Sequence, residues 1–286
     1  MTTPGDKTTA GDKTTPGDKT TAGDKTTAGD AFRAGDLDAA LTAATAAVKA
    51  APADADARWL LAELMLFAGE AERADRMLDA AALREPSPVV LEFRKLLRAE
   101  VLRGQVLGEG RAPKYQGDDA TPAQQAALRA RVLLRLGEAE AALATAAEIE
   151  ALRPRAPGRA DDTPFDDCRD IDDLFAAEVE LLTTAGEHML VPVERIRSLT
   201  FDPPRRPRDL CWRRCTIDLK DGTEGVVFMP ALYPGAAQES DRALRLGRAT
   251  EWTDPEAGPV RGRGQRMLLL GDEAVTLASL TTLVFD

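Results

Sequence analysis

A spacing of 34 residues recurs through the first half of this chain and limits what it can fold into. Gly35, Gly69 and Gly137 are separated by 34 and 68 residues. Ala40, Ala74 and Ala142 keep the same intervals, and so do Pro52, Pro86 and Pro154. Glycine permits a tight turn between helices, alanine lets two helices approach closely, and proline cannot continue a helix. Asp36, Glu70 and Glu138 follow the three glycines and suit the electropositive start of a helix. Trp59, Leu60, Leu61, Leu64 and Met65 form an apolar stripe ahead of Gly69, as Leu128, Val132, Leu133 and Leu136 do ahead of Gly137.

A 34-residue period with glycine, small-residue and proline positions resembles tetratricopeptide repeats. The unit between Gly69 and Gly137 is degenerate. Its first helix is expected at 88–107, on Val89, Val90, Phe93, Leu96, Leu97 and Val101, and its second is interrupted by Gly108, Gly110, Pro113 and Gly117. A loop is therefore expected at 108–120. Residues 2–31 are a hexapeptide repeat of the TTPGDK and TTAGDK type without apolar side chains to bury, and residues 1–31 are read as a disordered tail.

Past the repeats the pattern changes. The segment 153–167 is rich in Pro, Arg and Asp, and Ile171, Leu174, Phe175 and Val179 suggest a single linking helix. From His188 onward the apolar segments are short and branched: Met189–Leu199, Cys211–Leu219, Gly225–Met229, Gln265–Leu270 and Ala274–Phe285. Asp221-Gly222 between two of them marks a hairpin turn. The expected architecture is α+β: a tail at 1–31, helical repeats at 32–152, a linker and connecting helix at 153–187, and a β-rich sheet or barrel at 188–286.

Charge narrows the partners. The chain carries a formal −11, yet from His188 to the end 14 Lys and Arg balance 14 Asp and Glu, so the whole excess lies before it. An acidic helical half repels phosphate backbones, which argues against nucleic acid as a partner. No apolar run reaches the length of a membrane span, and the N-terminus lacks the basic and apolar regions of a secretory signal. Three cysteines, Cys168, Cys211 and Cys215, fit a reducing compartment, and the cytoplasm is the expected location.

Little in the chain suggests an enzyme. His188 is the single histidine and is read as structural or exposed. Cys211 and Cys215 fall on one face of a strand but lack a full tetrahedral ligand set, and Asp166, Asp167, Asp170, Asp172 and Asp173 lack calcium-loop spacing and read as a solvated helix start. Gly262-x-Gly264 neither follows a strand nor opens a helix, so no phosphate loop is expected. No cofactor or metal is expected. Arg205, Arg206, Arg208, Arg213 and Arg214 form a basic cluster without an aromatic stacking motif, and pairing with the acidic half is preferred to an RNA patch.

The second half also carries a series of blocks in order. Val191-Pro192-Val193-Glu194-Arg195-Ile196 leads to Pro203-Pro204-Arg205-Arg206-Pro207-Arg208-Asp209-Leu210-Cys211-Trp212. Phe228-Met229-Pro230-Ala231-Leu232-Tyr233-Pro234-Gly235, Leu244-Arg245-Leu246-Gly247-Arg248-Ala249-Thr250-Glu251-Trp252 and Gly264-Gln265-Arg266 follow. This set resembles the ImpE/TagJ family of type VI secretion accessory proteins over roughly residues 32–286. Ala236 stands where the family's loop usually has serine after Tyr-Pro-Gly, and Leu190 where an aromatic is frequent.

The resemblance implies a non-enzymatic bacterial adaptor that binds the small sheath subunit and, through it, the AAA+ ATPase that disassembles spent sheath. Arg208, Asp209, Trp212, Tyr233, Arg245, Arg248 and Trp252, within the shared blocks, are the partner-binding candidates. Two other readings remain open: a small-molecule or nucleotide-binding regulator using the loops around Tyr233 and Arg248, and, more weakly, an RNA-binding module on the arginine cluster.

Overall fold

The computed structural model describes residues 27–82, 87–117 and 119–286. Among the described residues, seven α-helices make up the first half: α1 (Ala28–Arg33), α2 (Leu37–Ala50), α3 (Ala55–Phe67), α4 (Ala71–Ala82), α5 (Pro88–Gly104), α6 (Pro122–Arg135) and α7 (Ala139–Leu152). The three glycines end α1, α3 and α6 in the same way. Gly35, Gly69 and Gly137 have φ of 85°, 72° and 81°, a left-handed conformation that favours glycine. The following residue then donates its N–H back to the helix, as in Asp36 N to Ala31 O, Glu70 N to Met65 O and Glu138 N to Leu133 O. Ala40, Ala74 and Ala142 are completely buried, as the close approach of helices demands. The repeat reading is correct in its phase, although Pro86 lies outside the described residues.

The tail ends earlier than expected. Residues 1–26 lie outside the described residues, but Thr27 caps the first helix and 28–31 belong to it. Thr27 and Asp30 form a reciprocal capping box, and Ala31 and Phe32 are buried behind it. The last hexapeptide unit thus supplies a helix start because Phe32 gives that helix something to bury.

The third unit departs from the repeat. Arg103 stands 34 residues after Gly69, where the period calls for glycine. No turn forms there. The chain runs on through α5 into a π-helical turn, Gln105–Glu109, and only Gly110, at φ 84°, stops it. The expected loop follows, and Tyr115 in it bridges to Leu190 of the sheet. The α6–α7 hairpin does not continue the stack begun by α1–α5. It packs its Ala123, Ala126, Ala127, Ala130 and Ile149 face onto Leu174, Ala176 and Ala177 of the β half.

The β half begins near residue 158, not 188. The linker and connecting helix expected at 153–187 are strands: β1 (Gly158–Ala160), β2 (Thr163–Phe165), β3 (Cys168–Asp170) and β4 (Glu178–Thr183), with a 3-10 turn at Asp173–Phe175. Ile171, Leu174, Phe175 and Val179 have helical spacing, but Glu178–Leu182 is buried on both faces of β4, and a doubly covered strand loses its alternation. The rest are β5 (His188–Pro192), β6 (Ile196–Phe201), β7 (Trp212–Leu219), β8 (Glu224–Pro230), β9 (Thr250–Trp252), β10 (Gly262–Gly264), β11 (Met267–Leu270), β12 (Glu273–Thr276) and β13 (Thr282–Phe285), with a short helix α8 (Arg242–Arg245). Eight strands form one antiparallel sheet in the order β2-β1-β13-β6-β7-β8-β4-β5, beside a three-stranded sheet β12-β11-β3 and the β9–β10 pair. The Asp221-Gly222 turn joins β7 to β8 as expected, with Gly222 at φ 88°.

One face of the large sheet and the small sheet enclose a core of Ile196, Leu199, Ile217, Met229, Leu268 and Leu277. Trp212, Phe228, Leu182, Leu232 and Leu246 instead belong to the same core as α1–α5. The two halves therefore share a hydrophobic core.

Candidate functional site

The helical stack meets the β half along a seam built from arginines and aromatic rings. Arg206 and Arg208 of the β half place their guanidinium groups 4.8 and 5.2 Å from the Trp59 ring, and Arg208 lies 5.0 Å from Phe93. Trp59 and Phe93 are 4.9 Å apart, and Trp212 meets Phe93 edge-on at 6.2 Å. Trp59 Nε1 donates to Glu63 Oε1 at 2.6 Å, and Trp212 Nε1 donates to Glu100 Oε2 at 2.8 Å. Glu63 is buried. Burial pushes its carboxyl up to about 7, against the pull of Arg206, whose Nε is 2.7 Å away, and of the Trp59 N–H.

Two more arginines cap helices of the stack. Arg248 donates to the carbonyls of Phe32 and Arg33 at the end of α1, at 2.6 and 3.1 Å. Arg245 donates to the Phe67 carbonyl at the end of α3, at 3.2 Å. Helix ends leave carbonyls unpaired and carry partial negative charge, so an arginine there answers both deficits.

Below this seam lies a buried ionic cluster. Glu180 of β4 accepts from Arg103 Nε at 2.7 Å and from Arg266, and His188 Nε2 lies 3.0 Å from it. Arg103 also donates to the Leu232 carbonyl at 2.9 Å. Arg266 donates to Asp170 at 3.0 Å and sits over the Phe175 and Tyr233 rings at 4.7 and 5.3 Å. Tyr233 Oη donates to Asp170 at 2.8 Å. Burial would raise the Glu180 carboxyl, but Arg103 and Arg266 outweigh it and hold it well below the usual range. Asp170 has Arg266 but also Asp172 nearby, and burial pushes it up to about 6. A second buried set joins α6 to the sheet: Arg131 donates to Glu178 and the Leu174 carbonyl, both at 2.6 Å, and Gln124 donates to Glu178 at 3.0 Å.

Most of the expected partner-binding residues are spent on these internal contacts. Arg208, Trp212, Tyr233, Arg245 and Arg248 hold the β half to the helices or anchor the ionic cluster, as described above. Asp209 accepts from the backbone N–H groups of Arg205 and Arg206 and shapes their turn. Trp252 is exposed, at 36%, with its ring against Tyr233, and Arg248 is exposed as well although it caps α1. Arginine and aromatic side chains in Pro- and Gly-rich loops have the composition of an interface, and here the interface is internal. Of the arginine cluster, Arg206 reaches Glu63 of the helical half as preferred, whereas Arg213 and Arg214 pair within the β half instead, Arg213 donating to the carbonyls of Leu277, Ala278 and Leu280 and Arg214 to Asp202.

The acidic run is corrected. Asp170 and Asp172 are buried, Asp172 accepts from Arg261 at 2.9 Å, and Asp167 accepts from Arg153 at 2.6 Å. Long-range arginine partners draw these aspartates inward, and local sequence shows nothing of those partners. Among the described residues no group of three or more His, Cys, Asp or Glu is placed to hold a metal, and no helix is long and apolar enough to cross a membrane. Gly262 lies directly against the Tyr233 ring, where a Cβ would collide with Cε2, so its glycine serves packing.

One open feature remains at the seam. A cleft of about 740 Å³ lies between the start of α4, the end of α5, the π-helical turn and the Leu232–Gln238 loop. Trp212, Cys211 and Arg103 form its floor, Leu66, Val101 and Leu107 supply apolar wall, and Glu70, Glu72 and Glu109 stand at its sides. The loop seals one end by close contact at the α3–α4 turn, where Ala237 Cβ is 3.1 Å from the Cβ position of Gly69. Sequence reasoning placed the aromatics of this cleft but missed Arg103 and Glu100. The available signal was the broken period, arginine standing where glycine is due.

The comparisons with known proteins agree with this architecture. The profile of the ImpE protein family matches residues 162–284, and a tetratricopeptide repeat profile matches residues 31–97. The type VI secretion system accessory component TagJ of Pseudomonas aeruginosa is 32% identical over 258 residues, which span 87% of this chain and 88% of that protein. A crystal structure of a Vibrio parahaemolyticus protein superposes with a TM-score of 0.83 at 29% identity, covering 91% of this chain and 97% of the other. The chain belongs to the ImpE/TagJ family of type VI secretion accessory proteins.

Proposed function

We propose that the chain is a non-enzymatic cytoplasmic adaptor that seats a helix of the small sheath subunit in the cleft between α4, α5 and the Leu232–Gln238 loop. Through that subunit it acts on the AAA+ ATPase that disassembles the sheath. The observation that carries the reading is the incomplete third repeat. Units one, two and four each have two helices, whereas α5 ends in a π-helical turn and no α-helix is described between Gly104 and Pro122. A second helix folding back from the end of α5 would begin at the cleft, and one supplied by a partner fits the same apolar wall. Arg206, Arg208 and Trp212 already pack against Trp59 and Phe93 of the repeats, and the cleft is an open, partly apolar surface beside them.

Apolar contact with Leu66, Val101 and Leu107 would give most of the affinity; Glu70 and Glu72 pair with Arg73 and Arg76, which also line the cleft, so charge steering would fall to Glu109. Titration of the full chain with the fluorescently labelled N-terminal helix of a sheath small subunit tests the proposal. Saturable binding that falls only modestly with added salt is expected. No change in anisotropy at any helix concentration would end the partner assignment and leave the fold untouched.

A further inference from the structure

The α6–α7 hairpin is the last repeat unit, and it lacks the outer face of a last unit. Repeat stacks end in units whose outer surface is polar, because nothing stacks beyond them. Here the inner, alanine-rich face is used on the β half, while Leu136 is 70% exposed and Val132, Leu143 and Leu152 are 38–43% exposed. Val132 on α6 and Leu136, its C-cap, are one turn apart, and Leu143 is in the first half of α7, so three of the four lie within seven residues of Gly137 along the chain.

The charges of the hairpin say what fits that face. Helix α6 carries Arg129, Arg131 and Arg135 and no acid, while α7 carries Glu140, Glu148 and Glu150 and no base. Arg131 is turned inward to Glu178, Arg129 pairs with Glu148, and Glu150 pairs with Arg153 and Arg169. Arg135, whose guanidinium lies against Gly110, and Glu140 have no ion-pair partner among the described residues and stand on either side of the Gly137 turn. A basic helix and an acidic helix side by side form a surface complementary to itself after a twofold rotation. A second copy turned about such an axis would lay its α7 on this α6 and this α7 on its α6. That arrangement covers the leucines and sets each Arg135 against a Glu140.

We propose that the outer face of α6–α7 is an isologous interface, and that the chain is a dimer joined by a four-helix layer made of two such hairpins. The surface is separate from the cleft, so its occupation does not depend on the partner proposed above. Sedimentation equilibrium of the full chain tests it, with a mass of twice 30.7 kDa expected. Leu136→Glu should give the single-chain mass with the wild-type circular dichroism spectrum, since that side chain is mostly exposed within one chain, and its melting temperature should no longer depend on protein concentration. Arg135→Glu and Glu140→Arg should each weaken self-association by about tenfold or more, and an equal mixture of the two should restore the dimer. A wild-type chain that stays monomeric at about 100 µM overturns the proposal. So does a dimer that survives Leu136→Glu or both charge reversals.

Discussion

Arg103 Nε lies 2.7 Å from Glu180 Oε1, and this buried pair joins the last helix of the repeat stack to the middle of the β half. Arg103 occupies the position where the 34-residue period calls for glycine. Giving up the turn there costs the third unit its second helix and supplies a cation that Glu180 shares with Arg266. The loss of a repeat helix and the attachment of the β half are thus one event in the sequence.

Arg103→Ala should be strongly destabilising. It leaves Glu180 buried with one arginine fewer and frees the Leu232 carbonyl, a loss of about 3–5 kcal/mol for breaking a buried pair. Arg103→Lys should recover only part, because one ammonium cannot reach Glu180 and the Leu232 carbonyl in the arginine's fork geometry. Urea unfolding of the three chains checks the order; an alanine variant within 1 kcal/mol of wild type would show that the cluster does not need this cation.

The turn glycines offer a comparison between two sites of like backbone. Gly69 and Gly137 both have left-handed φ, but a Cβ at Gly69 meets Ala237 at 3.1 Å, whereas one at Gly137 meets nothing within 4 Å. Gly137→Ala should cost about 1 kcal/mol from backbone strain. Gly69→Ala should cost more, because the Leu232–Gln238 loop must also shift. Equal losses in thermal unfolding would mean that the loop is not held against the α3–α4 turn.

Stability should fall with rising pH through Glu63. Its carboxyl stands near 4.5 in the unfolded chain and is pushed up to about 7 by burial in the fold, so the folded state binds the proton more tightly. The contribution is fully present below about 4.5 and is lost as the pH rises through 7, on the order of 3 kcal/mol at most. Glu63→Gln keeps an acceptor for the Trp59 N–H and removes the titration. Melting curves from pH 5 to 8 should therefore converge or cross for wild type and variant; parallel curves would show that Arg206 holds Glu63 ionised throughout.

The legibility of this sequence follows the range of the forces involved. The glycine turns at 35, 69 and 137 and the buried Ala40, Ala74 and Ala142 were readable because helix ends and helix contacts are set by nearby residues in a fixed phase. Strands β3 and β4 were not, since Glu178 and Glu180 break an apolar run and look like solvated helix positions. Their partners, Arg131, Arg103 and Arg266, are 47, 77 and 86 residues away. The same distance hid the role of Arg245, Arg248 and Trp212. Their types announced an interface, and only the fold shows that they turn toward the chain's own helices.

The cleft can be tested without disturbing that seam. Gly104 and Gly108 line it, and a Cβ at either position meets nothing within 4 Å. Neither has the left-handed backbone that would penalise a larger residue. Gly108→Trp should therefore fill the space beside Leu107 with little change in stability, within about 1 kcal/mol. If a partner helix completes the third repeat there, the same substitution should weaken its binding at least tenfold, since an occupied cleft leaves no apolar wall to bury. Trp252→Ala, on the exposed side of Tyr233 and outside the cleft, serves as the control and should bind as wild type does. Anisotropy titrations of the three proteins with one labelled sheath-subunit helix separate the outcomes. Loss at Trp252 with retention at Gly108 would move the binding surface to the β9–β10 pair and leave the cleft without a role in capture.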